Sequence, residues 1–155
     1  MNLSLFALAL STMIVTVVKE KHVTTDVKQS KETIIKISYS TTGGRGGNTE
    51  SLDVTKMSTV FTKGHAGVDK TTKAMTSKTF WAQITNALDL KNFDKIKTSP
   101  GRALYDGIDV TITITTNRGT HTVVNGSDDI TNYKLIKPFT DLLEKELAKQ
   151  RQKLK

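Results

Sequence analysis

Along this chain the hydrophobic positions recur with period two in some stretches and with a helical period in two others. Residues 33–43 open the first pattern. Ile35, Ile37 and Tyr39 fall on one side of an extended segment, with Lys36, Ser38 and Ser40 on the other. Leu52 and Val54 resume the alternation after Gly43-Gly44-Arg45-Gly46-Gly47, which predicts strand, glycine loop, strand. Residues 58–63 predict a third strand with Thr59, Phe61 and Lys63 on one side, followed by a turn at Gly64-His65-Ala66-Gly67. Residues 68–75 predict a polar edge strand, where lysines discourage addition of another chain.

The period then changes. Phe80, Trp81, Ile84, Ala87 and Leu88 lie on one face of a helix predicted over 77–90, with Thr76 or Ser77 as its N-cap. Phe80 and Trp81 sit on the apolar stripe and are expected in the core. Leu90, Phe93 and Ile96 are expected to finish packing under the sheet. After a loop at Thr98-Ser99-Pro100-Gly101, Asp106-Gly107 leads into the most regular strand. There Ile108, Val110, Ile112 and Ile114 alternate with Asp109, Thr111, Thr113 and Thr115. Asn117-Arg118-Gly119 turns the chain, and residues 120–124 return as a hairpin partner. A last helix begins at Tyr133 or Pro138 and runs to Arg151, with Leu135, Phe139, Leu142, Leu143 and Leu147 as its stripe. Pro138 belongs in a first turn, where its missing N–H costs nothing. The expected fold is α+β, a twisted antiparallel sheet of about five to six strands with two helices packed on one face and a Thr-rich face left wet.

Upstream of this body, Leu3 to Val18 carry no charge, and Lys19-Glu20-Lys21-His22 end the run. Sixteen helical residues would span about 24 Å, short of a ~30 Å hydrocarbon core. Residues 1–18 therefore suit an export signal or an uncleaved anchor that contacts a membrane, which implies an extracytoplasmic chain, whether periplasmic, secreted or membrane-anchored. No Lys or Arg precedes the run, and no small-x-small cleavage site follows it. A buried structural helix is the alternative, although a soluble helix should be striped and this one is apolar all round. Residues 19–32 read as a polar tether, 33–150 as a single α+β domain and 151–155 as a basic tail.

At 155 residues the chain is long enough for a real core, and 36% hydrophobic with 25% charged residues suits a globular body. The net charge of +8 suggests nucleic acid at first sight. Its distribution argues otherwise, because Lys145, Lys149, Arg151, Lys153 and Lys155 oppose only Glu146 in the last eleven residues, so half of the excess sits at one helix end. Cations there complement the negative end of the helix dipole. No basic strand interleaved with aromatics is present, and nucleic acid is not an expected partner.

Candidate chemistry is sparse, and the expectation is a non-enzymatic protein without a cofactor. With no cysteine, disulfides, thiolate catalysis and cysteine zinc sites are excluded. His22, His65 and His121 lack the i, i+2 or i, i+4 spacing of paired metal ligands. Asp106, Asp109, Asp128 and Asp129 could gather near strand ends, but without the alternating spacing of a calcium loop they read as turn residues. Asn125-Gly126-Ser127 matches a glycosylation sequon, relevant only in a eukaryotic secretory pathway. The glycine loop lacks the Gly-Lys-Ser/Thr ending of a phosphate cradle and leads into a strand, not a helix. Gly43, Gly44, Arg45, Gly46, Gly47 and Asn48 are thus either a long hairpin connection or an exposed partner-binding loop.

Several segments together resemble a known family: Ile37-Ser38-Tyr39-Ser40-Thr41-Thr42-Gly43-Gly44, Leu52-Asp53-Val54, Asp106-Gly107-Ile108 and Pro138-Phe139-Thr140-Asp141-Leu142-Leu143. Over about residues 34–147 the chain resembles the emfourin-like domains, small bacterial proteins that include inhibitors of thermolysin-type metallopeptidases. The resemblance implies a secreted metallopeptidase as partner and a substrate-like loop that occludes its cleft, with Arg45 as the protruding side chain. An exported binding or structural module without a protease target is the alternative. Arg45 stands where an apolar residue is expected after the glycine pair, and residues 68–79 look like an elaboration of the family pattern.

Overall fold

A computed structural model describes residues 31–44, 46–102 and 105–154, and Lys31–Lys155 form one compact unit. The expected export or anchor segment, Arg45 and nearly all of the 19–32 stretch lie outside the described residues. Six strands form one antiparallel sheet: β1 (Ile34–Gly43), β2 (Asn48–Thr55), β3 (Ser58–His65), β4 (Val68–Met75), β5 (Ile108–Thr116) and β6 (Thr120–Val124). Their order across the sheet is β4-β3-β2-β1-β5-β6. The first four strands are a meander. The chain then crosses through α1 (Lys78–Ala87) and α2 (Leu90–Phe93) to lay β5 on the free side of β1. After β6 come α3 (Ile130–Tyr133), a single tight turn at Lys134–Ile136, and α4 (Lys137–Lys153). The fold is α+β, with β4 and β6 at the sheet edges.

One core cluster joins Ile37, Tyr39, Leu52, Val54, Phe61, Ile112, Ile114 and Val123 of the sheet to Ile84, Phe93, Ile136, Phe139, Leu143 and Leu147 of the helical segments. Removing this apolar surface from water is the main stabilising term. Strand alternation predicts most of the set. It misplaces Ile35, which is 51% exposed, while Ile34 packs against the core. The cause is an irregularity in the β1–β5 ladder. Ile34 pairs with Thr116 but Lys36 pairs with Thr115, so Ile35 is an extra residue that reverses the side facing the core.

The helices also differ from their sequence outlines. Ser77 caps α1, its Oγ accepting from Phe80 N–H at 3.1 Å. The helix stops at Ala87, because Leu88 turns extended and Asp89 starts a new turn by accepting from Lys91 N–H at 2.9 Å. A short oxygen-bearing side chain is a poor interior residue and a good cap. The closing helix proper begins at Lys137 with Pro138 in its first turn. Leu135, expected on its stripe, is 45% exposed and Ile136 is buried instead. The tight turn at 134–136 advances the chain by a different angle per residue than an α-helix does, so the stripe cannot be extrapolated back through it.

Polar residues gather where β5 begins and β6 ends. Asn125, almost fully buried and left-handed at φ 49°, accepts from Val110 N–H at 2.9 Å. It also donates to Pro100 O at 3.0 Å and to Asp109 Oδ1 at 2.8 Å. The sequon asparagine is therefore a buried connector between β5, β6 and the loop before β5, with its amide engaged. Of the aspartates expected in turns, Asp109 lies on β5, whereas Asp128 and Asp129 lie in the connection after β6. Asp109 accepts from Arg102 N–H, Asp128 pairs with Arg102, and Asp129 accepts from Lys97 and Asn132 N–H.

Candidate functional site

The glycine loop closes the β1–β2 hairpin, and its described residues are braced. Gly43 and Asn48 are the last ladder pair, and Gly43 also pairs with Ile108 on its other side. Gly44 donates to Gly107 O at 3.0 Å, and Gly47 donates to Gly44 O at 3.1 Å. Gly43, Gly44, Gly46 and Gly47 all have positive φ, a run that side-chain-bearing residues would resist. Gly46 additionally faces His65, whose Cε1 would lie 2.9 Å from an added Cβ. The His65 ring reaches the loop from β3, with Nδ1 2.9 Å from Asn48 Oδ1. An amide oxygen can only accept, so Nδ1 carries the proton in this contact.

Beside this loop the β3–β4 hairpin and the end of α4 enclose an open cavity of about 580 Å³. Its lining is Lys63, His65, Ala66, Val68, Lys70, Arg151 and Leu154. The hairpin is tighter than its sequence suggests. Strand β3 runs through His65, and only Ala66 and Gly67 turn, at φ 49° and 82°. Two left-handed residues in succession match the right-handed twist of the flanking strands. This sets His65 opposite Val68 and Lys63 opposite Lys70.

The electrostatics of this end are uneven. Arg151 binds Glu50 with both Nε, at 2.8 Å, and a terminal nitrogen, and Lys63 lies 3.6 Å from the same carboxylate. Glu50 is thus shared by two cations, and among the described residues Lys70 has no ion pair. Arg151, expected in a basic tail, is in the helix and ties its end to β2.

Far from the loop, His121 on β6 stands between two carboxylates. Its Nδ1 is 2.7 Å from Asp94 and its Nε2 3.2 Å from Glu32, which also accepts from Thr116 Oγ1 at 2.7 Å. Burial disfavours the charged ring, but the hydrogen bonds and attraction of Asp94 and Glu32 together outweigh it and raise the His121 pKa. Hydrogen bonds from Thr116 and then His121 lower that of Glu32. Among the described residues no group of three His, Cys, Asp or Glu side chains has the arrangement of a metal site. No described helix is long and apolar enough to cross a membrane.

The structure thus brings Gly46 and Asn48 of the predicted loop together with His65, which sequence reading placed in an unrelated turn. It adds Lys63, Lys70 and Arg151, which sequence reading scattered over a strand, an edge and a tail. One signal was available. A two-residue turn centred on Ala66-Gly67 places residues 63 and 70 in register, so two lysines equidistant from it must face each other. No protein-family model matches the chain, and no curated protein matches it.

Proposed function

We propose that this chain is an exported, non-enzymatic binding domain whose recognition element is the glycine loop, Gly43 to Asn48. The observation that carries this reading is the bracing of the loop. Hydrogen bonds from Gly44 to Gly107, from Gly47 to Gly44 and between His65 and Asn48 tie the described loop residues to one another and to the neighbouring segments. A loop ordered before binding loses less entropy on association, the requirement for a segment that must enter a partner's cleft. In this reading α1 and α4 cover one face of a twisted sheet, which gives the loop a rigid base and leaves the opposite Thr-rich face in water. Export rests on the uncharged run from Leu3 to Val18.

The target proposed from the resemblance to emfourin-like domains is a secreted thermolysin-type metallopeptidase, with Arg45 presented to its cleft. The test is a titration of such a protease with the full chain, beside Arg45→Ala and Gly44→Trp variants. Saturable inhibition that both substitutions weaken is the expected result. Lack of inhibition by the native chain at micromolar excess would reject the protease target and leave a binding or structural module of the cell envelope. Retention of an envelope component, abolished by the same two substitutions, would then identify the loop as the contact.

A further inference from the structure

The cavity beside the loop has a composition that the loop reading does not use. Val68, Ala66 and Leu154 supply apolar surface, and Val68 is 66% exposed although it is a strand residue. Lys63, Lys70 and Arg151 supply three cations, while among the described residues no acidic side chain lines the cavity. Glu50 behind them is already bonded to Arg151 and close to Lys63. Lys63 and Lys70 sit directly opposite each other on neighbouring strands, an arrangement that like charges make unfavourable. The end of α4 adds a partial negative charge near Leu154, smaller than that of the cations around it. An anion in this cavity would relieve the lysine repulsion, and an apolar body attached to it would cover Val68 and Leu154. The volume of about 580 Å³ falls within the usual range of small-molecule sites.

We propose that the cavity between the β3–β4 hairpin and the end of α4 binds a small amphiphilic anion, a carboxylate or phosphate monoester carried on an apolar body. Lys70 and Arg151 meet the head group from opposite walls, with Lys63 between them. His65, whose Nε2 makes no hydrogen bond among the described residues, borders the site on the loop side. The apolar body lies over Val68 and Leu154. This inference does not depend on the protease reading, since it uses a different surface and a different ligand class.

The experiment is calorimetric titration of the full chain with decanoate and decyl phosphate, both below their micelle-forming concentrations. Inorganic phosphate, decyl glucoside and vesicles of anionic phospholipid are titrated as separate arms. Saturable one-to-one binding of decanoate or decyl phosphate is expected, at least tenfold tighter than inorganic phosphate or the uncharged glucoside. Lys70→Gln and Val68→Asp should each weaken it about tenfold. Both positions are exposed on an edge strand, so an unchanged circular dichroism spectrum and melting temperature will show that the variants fold. Equal binding of the glucoside, or of inorganic phosphate, would overturn the proposal by removing the need for head or body. Binding to vesicles without binding of either soluble amphiphile would replace the cavity with a membrane-surface contact and overturn it too. No heat of binding in any arm would do the same.

Discussion

His65 Nδ1 lies 2.9 Å from Asn48 Oδ1, a bond that ties the β3–β4 hairpin to the last residue of the glycine loop. The two residues are 17 apart in sequence and belong to two different hairpins. His65 thus borders both the loop and the basic cavity.

The loop's order should depend on this bond more than the protein's stability does. An exposed hydrogen bond contributes about 1 kcal/mol or less. His65→Ala should therefore lower stability by no more than about 1 kcal/mol while hydrogen exchange of the Gly46, Gly47 and Asn48 amides accelerates. Gly46→Ala should cost more, about 1–2 kcal/mol, because φ is 89° and the new Cβ would meet the imidazole at 2.9 Å. Exchange rates that match the native loop in His65→Ala would show that the loop is held by its backbone bonds alone.

Stability should vary with pH through His121 and Glu32. His121 has a pKa raised from 6.5, so its contribution is complete below 6.5 and is lost as pH rises through the folded-state value. Glu32 has a pKa lowered from 4.5, so its contribution is complete above 4.5 and is lost as pH falls through the folded-state value. The cluster stabilises most between about pH 4.5 and 6.5. Thermal melts across pH 4–9 should decline on the alkaline side of that window in the native chain. The decline should flatten in His121→Ala, and an identical profile in the variant would remove the cluster as its source.

Asn125 should be among the most sensitive polar positions. Replacement by Ala deprives Val110 N–H, Pro100 O and Asp109 of a partner in a buried setting. A loss of about 3 kcal/mol in urea unfolding is expected. Asn125→Asp keeps the acceptor for Val110 but sets a carboxylate against Asp109. It should also destabilise, and less so in acid, where protonation of either group relieves the repulsion.

The irregularity in β1 predicts opposite outcomes for two adjacent isoleucines. Ile34→Ala should cost about 1–2 kcal/mol, because Ile34 packs on the core. Ile35→Ala should change stability by no more than about 0.5 kcal/mol, because the side chain is half in water. Equal losses, or the reverse order, would restore uninterrupted alternation through residue 34.

The α+β class and the succession of the strands and the two longer helices are legible in the sequence. Alternation in 108–115, the helical stripe from Phe80 to Leu88 and the apolar positions of α4 each follow from one element burying one side. That is a local consequence of a period of two or of 3.6 residues. It also predicted a cap at Thr76 or Ser77, of which Ser77 serves, and the exposed edge β4, because caps and edge lysines act within a few residues of themselves. Other relationships are not encoded in local periods and arise from packing between distant segments. The extra residue at Ile35 depends on how β1 aligns with β5, more than 70 positions away in the chain. The new start at Asp89 and the tight turn at 134–136 reset the phase of the helical pattern. The meeting of Lys63, Lys70 and Arg151 depends on strand register and on where α4 ends. Asn125 reads as the first residue of a glycosylation sequon in sequence, and only the convergence of Val110, Pro100 and Asp109 around it makes it a buried connector. Periodicity fixes which side of each element faces inward, whereas the partner of each side is set by packing and hydrogen bonding between distant segments.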